Sequence, residues 1–199
     1  LKLGSDAQLS SLNPLAMKEA EEINCSIGIW ASENTKALSN TDPSRQAILQ
    51  RARRPILDVF FKRAAMKGKK KLRWSGTQFP CDANAQDAEM SLAEYEDFVF
   101  KAGLLHKANP VAEWKTIGKA QQKLCDFLDR ARQVHFKTPQ GTDIRLGVKG
   151  RKWINCDGHE NFPDGEVFTA PLEDATEGKI RYTFPAVHGG RECHDIELT

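Results

Sequence analysis

The sequence predicts an α/β fold: part of a parallel α/β domain, then the strand-rich start of a second domain. Two observations carry this. In the first half, strand-like runs alternate with helix patterns, the order expected of a parallel sheet with crossover helices. After about Val134 the pattern changes to short strands separated by turns. The domains are expected over residues 1–108 and 109–199, the second beginning with a linking helix.

Three helices are announced by one device, a polar cap followed by proline at the first helical position: Asn13-Pro14, Asp42-Pro43 and Asn109-Pro110. After the first, Ile23 to Ala31 reads as a strand with Cys25, Ile27 and Ile29 turned inward. The helix from Pro43 carries Ile48, Leu49, Ile56, Leu57, Val59, Phe60 and Phe61, and Pro55 is expected to kink or break it. Lys71 to Gln78 reads as the next strand. Ser91 and Glu94 form a capping box for a helix that stops at Gly103. The helix from Pro110 gathers Val111, Trp114, Ile117, Leu124, Phe127 and Leu128 on one stripe, which requires a large packing partner. Asp143 to Val148 alternates as a strand, and Lys149-Gly150-Arg151 is expected to fold it into a hairpin with Lys152 to Asn155. Lys179 to Phe184 and Asp195 to Leu198 continue the strand pattern.

Composition narrows the class. With 199 residues, 40% hydrophobic and 28% charged, the chain is expected to fold and to bury roughly 70% of its unfolded surface. No apolar run approaches the roughly 20 residues needed to cross a bilayer, and the first residues show no secretory pattern. The five cysteines, Cys25, Cys81, Cys125, Cys156 and Cys193, contain no C-x-x-C pair and read as reduced thiols of a cytosolic protein. A zinc site from Cys156, His159, Cys193 and His194 lacks short ligand spacing. Net charge is +2, yet cations crowd from Arg51 to Arg73, including Lys69-Lys70-Lys71. That run is either a solvated helix face or the footprint of a nucleic-acid-binding module. Tyr and Phe are not interleaved with the cations as a single-strand binder needs.

The segment "NFPDGEVFTAP", Asn161 to Pro171, sets Asp164 and Glu166 on a turn between two prolines. Nearby lie Asp157, His159, Glu160, Glu173, Asp174 and Glu177, a density of oxygen and imidazole donors that suits Zn, Co, Mn or Mg. An EF-hand is excluded: with Asp157 first, Phe162 and Phe168 occupy the glycine and glutamate positions. No H-E-x-x-H, G-x-S-x-G or glycine-rich phosphate loop is present. Asp164-Gly165 is also an ordinary turn dipeptide. Glu166, between Phe162 and Val167-Phe168, reads as either a solvated turn residue or a partly desolvated carboxylate that a cation would compensate. His159 reads as a turn residue, and His135, His188 and His194 as structural or exposed.

At this point a family likeness becomes visible. "INCDGHENFPDGEVFTAPLEDATEGKIRYTFPAVHGGRE" from Ile154 resembles the dinuclear metallo-aminopeptidases of the thermophilic leucyl type, the family of aminopeptidases T and S. "IGIWASENTKALSNTDPSRQA" from Ile27, "MSLAEYEDFVFKAGLL" from Met90, "NPVAEWK" from Asn109 and "GTDIRLGVKGRKWIN" from Gly141 agree in order. The resemblance implies two-domain cytosolic homodimers that remove N-terminal residues from peptides with two divalent metal ions. It implies that Glu166 is a metal ligand. The remaining ligands and the catalytic residues fall on segments downstream of Thr199, so the chain is expected to be an internal fragment, inactive alone and binding no metal tightly. The competing expectation is a non-catalytic interaction or nucleic-acid-binding module that uses residues 51–73.

Overall fold

The computed structural model describes residues 1–188 and 191–199. Each helix expected from a cap is present and starts where its cap stands. In α2 (Pro14–Glu22) the Asn13 side chain accepts from the N–H groups of Leu15 and Ala16. In α3 (Pro43–Ala64) Asp42 accepts from Ser44, and in α6 (Pro110–Leu128) Asn109 accepts from Ala112. The Ser91/Glu94 box closes α5 (Leu92–Ala102), whose C-cap is Gly103. Two short helices were not anticipated: α1 (Asp6–Ser10), with its own Ser5/Gln8 capping box, and α4 (Asp82–Asp87).

β1 (Cys25–Trp30) and β2 (Arg73–Gln78) run parallel, with α3 between them in sequence. The strand positions match the expectation; the facing does not. Cys25, Ile27 and Ile29 are exposed, Ile27 at 75% and Ile29 at 66%, while Ser26 and Gly28 are half-buried. The reason is Trp30, whose indole lies across Gly28 and Gly76: a Cβ on Gly76 would fall 2.2 Å from the ring. An aromatic ring laid over a glycine floor covers that face, so the isoleucines take the other.

Pro55 does not break α3, which runs unbroken through it. The proline removes one N–H from the ladder, while α1 and α2 pack along the helix and hold it. Arg63 adds a tie by donating to Ala20 O at 2.9 Å. The α6 stripe is only half used. Trp114, Ile117, Gly118, Gln121 and Cys125 face the protein, but Val111, Leu124 and Phe127 remain exposed at 63%, 45% and 64%. The partner of α6 is small: the two-stranded ribbon of β5 (Ile154–Cys156) and β7 (Glu166–Phe168).

Beyond α6, β3 (Gln133–Lys137), β4 (Asp143–Gly147), β8 (Thr176–Arg181) and β11 (Glu197–Leu198) form an antiparallel sheet in the order β11-β8-β4-β3. The turn at Gly150 forms, with Arg151 N–H donating to Val148 O at 3.0 Å. It makes no hairpin: β4 pairs with β3 and β8, and β5 pairs with β7 instead. β4 already has a neighbour on each edge, so the chain leaving Gly150 has no free edge to return to. β9 (Ala186–His188) and β10 (Arg191–Cys193) form a separate antiparallel pair. β6 (Asn161–Phe162) crosses to the first sheet, adding parallel to β2 through Gly76 and Asn161. Residues on both sides of position 108 thus share one sheet.

The buried apolar core is small: Leu9, Ala20, Leu72, Ala85, Cys125 and Val148. The accessible surface is 14480 Å². A compact monomer of 22.3 kDa exposes about 9,400 Å² and its unfolded chain about 32,000 Å². The chain therefore buries about 55% of its unfolded surface, short of the roughly 70% expected from its length. No helix among the described residues is long and apolar enough to cross a membrane.

Candidate metal centre

The acidic turn sits at the free end of the β5/β7 ribbon, where register places Cys156 opposite Glu166. Gly165, at φ 122°, adopts a conformation that side-chain-bearing residues rarely take, and its N–H donates to Cys156 O at 3.1 Å and Asp164 Oδ1 at 3.0 Å. The peptide bond between Phe162 and Pro163 is cis. The result is a cluster: Cys156 Sγ and one carboxylate oxygen each from Asp164 and Glu166 lie within 4.8 Å of one another.

Helix α6 fixes this ribbon from behind. Gln121 Nε2 donates to both Cys156 O, at 3.1 Å, and Glu166 O, at 2.6 Å, bridging the two strands. Asn155 Nδ2 donates to Gly118 O at 2.9 Å. Gly118 makes room for the Asp157 side chain, which a Cβ there would meet at 3.1 Å and have to push aside. At the far end of α6, Asp129 accepts from Trp153 N–H at 2.9 Å and pairs with Lys152.

Electrostatics separates the two acids. Glu166 is exposed, so of its two readings the partly desolvated one is corrected: Phe168 is itself 45% exposed, while Phe162 and Val167 turn inward without covering the Glu166 carboxylate. The desolvated acid is Asp164. Burial raises its pKa, the Gly165 N–H opposes the shift, and the charges of Glu166, Glu160 and Asp157 reinforce it. Burial, with the same acids behind it, pushes the Cys156 thiol up to about 11. Neither Asp164 nor Glu166 has a cationic side chain at ion-pair distance among the described residues. Two carboxylates and a polarisable sulfur with uncompensated negative charge fit a divalent cation.

The histidines stand apart from this cluster. His159 pairs with Asp157, whose hydrogen bond and charge raise its pKa. His135 pairs with Asp143 at 2.7 Å and His194 with Glu192 at 3.0 Å. Cys156, His159, Cys193 and His194 are not gathered into one group among the described residues. The five cysteines form no disulfide. Sequence reading named Asp164 and Glu166 but gave Cys156 no place beside them, because that proximity comes from cross-strand register rather than local spacing.

A groove of about 620 Å³ runs along the other side of Asn155 and Asp157, floored by Val111, Trp114 and Phe162 and rimmed by Lys115 and Lys119. Trp114 and Phe162 meet at 5.7 Å between ring centres, and Trp114 Nε1 donates to Gly103 O at 2.9 Å. In the basic segment, Arg54 pairs with Asp58 at 2.7 Å. Phe60, Phe61 and Trp74 contact one another edge to face with centres 5.5 to 6.3 Å apart.

Comparison with known proteins decides the family. All of residues 1–199 match the thermophilic metalloprotease (M29) family. The chain belongs to this family. Among its relatives, aminopeptidase AmpS of Bacillus subtilis is 26% identical over 188 residues, 84% of this chain and 44% of that protein. Aminopeptidase T of Thermus thermophilus is 28% identical over 130 residues, 59% of this chain and 30% of that one. The solved structure of wild-type AmpT from Thermus thermophilus superposes with a TM-score of 0.71 at 24% identity, covering 98% of this chain and 52% of that one. The α/β fold is therefore shared, and the chain spans about half the length of the relatives it matches.

Proposed function

We propose that the complete protein is a metal-dependent aminopeptidase that removes N-terminal residues from peptides, and that Glu166 is one of its metal ligands. The observation that carries this reading is the placement of Glu166 beside Asp164 and Cys156 in a chain that matches a metalloprotease family throughout. Two divalent ions (Zn, Co, Mn or Mg), a cytosolic location and a homodimer belong to the same reading. So does the division into an N-terminal α/β domain over 1–108 and the start of the catalytic domain over 109–199.

When bound, a divalent cation supplies Lewis-acid polarisation of the scissile carbonyl and lowers the pKa of a water near it. Glu166 contributes an exposed carboxylate that is free to turn to a cation, exchanging hydration water for it. Gln121 holds the backbone of Glu166 and Cys156 at fixed separation. The groove beside Asn155 and Asp157 offers an apolar wall, Val111 and Trp114, to a peptide side chain.

The test is metal-dependent hydrolysis of a leucine chromogenic amide by the full polypeptide that carries this chain, compared with Glu166→Gln. Loss of activity and of bound metal with the fold retained supports the assignment. Undiminished activity makes the turn structural and removes Glu166 from the site. Steeply salt-dependent RNA or DNA binding that charge reversal at Lys69 to Lys71 abolishes would instead favour the interaction module.

A further inference from the structure

We infer that the free edge of β1 receives a parallel strand from the stretch of the full polypeptide upstream of Leu1. This extends the first sheet beyond the order β1-β2-β6 and stands apart from the metal reading.

The edge itself is open. At the two ends of β1, Asn24 O accepts the Arg73 N–H at 3.1 Å and Trp30 O accepts the Phe79 N–H at 2.7 Å, so the even-numbered residues face β2. Backbone groups alternate in direction along a strand. Cys25, Ile27 and Ile29 therefore turn their N–H and C=O groups to the other edge, where no strand pairs with them among the described residues. Their side chains are exposed as well. A parallel sheet is ordinarily an interior element, so bare apolar residues at its margin mark a surface that something covers.

Connectivity says what covers it. Helix α3 carries the chain from the end of β1 back to the start of β2, where the Leu72 N–H donates to Arg63 O at 3.1 Å. Its first turn therefore lies at the end of the sheet where β1 and β2 finish. There Arg45 holds the backbone of Leu1, donating to its carbonyl from Nε at 3.2 Å and from Nη2 at 3.1 Å. At the opposite end of α3, Arg63 holds Ala20 O. The stretch from Leu1 through α1 and α2 thus runs beside α3, in the same layer and direction, and delivers the chain to the start of β1. That is the path of a second crossover. Chain entering it at Leu1 comes from the end where the strands finish, as a strand parallel to β1 does. Crossovers between parallel strands share one hand. Two of the same hand on one face of a sheet advance the strands in one direction, so the strand before α1 falls beside β1, on the edge away from β2.

The relatives, of which this chain spans about half, have length enough to supply such a strand. A second copy fits less well. A two-fold axis would pair β1 with itself antiparallel, whereas every pairing in this sheet is parallel.

The experiment is residue-resolved hydrogen exchange on the intact full polypeptide, joined to photo-crosslinking from a reactive amino acid placed at Ile27. The Ile27 and Ile29 amides are expected to exchange as slowly as those of Ser26 and Gly28, which face β2. The crosslink is expected within the same chain, upstream of Leu1, in a run of about 4–8 mostly apolar residues. Fast exchange at Ile27 and Ile29 beside slow exchange at Ser26 and Gly28 overturns the inference, whether or not the crosslinking variant folds. A crosslink to chain downstream of Thr199, or between isotopically distinct copies in a mixture, puts another occupant on the edge and overturns it too. So does an unchanged melting temperature in Ile27→Pro, because proline is tolerated at an open strand edge but removes a ladder bond from a covered one.

Discussion

At the scale of single residues, Asp129 shows how one carboxylate ties the candidate centre to its supporting helix. Its two oxygens receive the Lys152 ammonium and the Trp153 N–H, just ahead of β5. The Lys152 hydrogen bond, then the Trp153 N–H, hold its pKa below the usual 3.8. A carboxylate depressed in the folded state stabilises the fold above its unfolded value and loses that contribution as pH falls through the folded one. Asp129→Asn is therefore expected to lower the melting temperature at pH 7 and to flatten the acid limb below about pH 4. Parallel thermal melts of parent and variant from pH 2 to 7 check this. An unchanged acid limb would show that the pair contributes nothing to the pH dependence.

Gly178 makes the same point for packing. It sits at φ 116°, and a Cβ there would come within 2.2 Å of Asp143 O and 2.9 Å of Ile144 Cα, both backbone atoms of the neighbouring strand. Backbone cannot swing aside as a side-chain tip can. Gly178→Ala should cost about 2–4 kcal/mol, overpacking and positive-φ strain combined. Chemical denaturation measures it. A loss under 0.5 kcal/mol would mean that β4 and β8 separate more easily than their pairing implies.

Elements were legible in the sequence where the signal was local. Asn13, Asp42, Ser91 and Asn109 all cap the helices they announced, because a cap acts within three residues of itself. The Ser5/Gln8 box of α1 is the same signal and could have been read. What sequence missed was set by distant partners. The facing of β1 depends on Trp30 and on Gly76 of another strand. The partner of β5 proved to be β7 because β4 was already flanked on both edges. Cys156 reached the candidate centre by the same cross-strand register. Glu166, by contrast, was recognisable from its family segment, although its exposure was not.

Between elements, Gln121 is the point where α6 grips the ribbon. Gln121→Leu removes both donations and should destabilise the protein by about 1–3 kcal/mol. As an outer support of the ligands, it should also weaken metal by roughly 10- to 100-fold in the full polypeptide. Calorimetric metal titration read beside the unfolding curve separates the two effects. Intact affinity in a destabilised Gln121→Leu would show that the bridge supports the fold alone.

For the whole molecule, the ratio of surface to mass governs behaviour. The 14480 Å² of surface includes Ile27, Ile29, Phe61, Phe79 and Phe98, each more than half exposed. Exposed apolar side chains that stand on one strand face, as Ile27 and Ile29 do on β1, offer a surface to partners or dyes. The isolated 199-residue chain is expected to bind a hydrophobic fluorescent dye in its folded state, and replacing Ile27 and Ile29 together by serine should reduce the signal. Dye binding no higher than that of a compact protein of equal mass would contradict the exposed face.

The parallel bond between β2 and β6 has a consequence for synthesis. Gly76 N–H donates to Glu160 O at 2.6 Å, and Gly76 and Thr77 register against Asn161 and Phe162. Chains are made from the N-terminus at about 5–20 residues per second, so the edge of β2 stays without this strand for roughly 4 to 16 s while the intervening stretch is translated. During that interval the nascent first half presents an unpaired strand edge, the kind of surface that holdase chaperones cover. The last strand to arrive lies just ahead of the turn that bears Asp164 and Glu166, so the first sheet is finished only as the candidate ligands themselves are emerging.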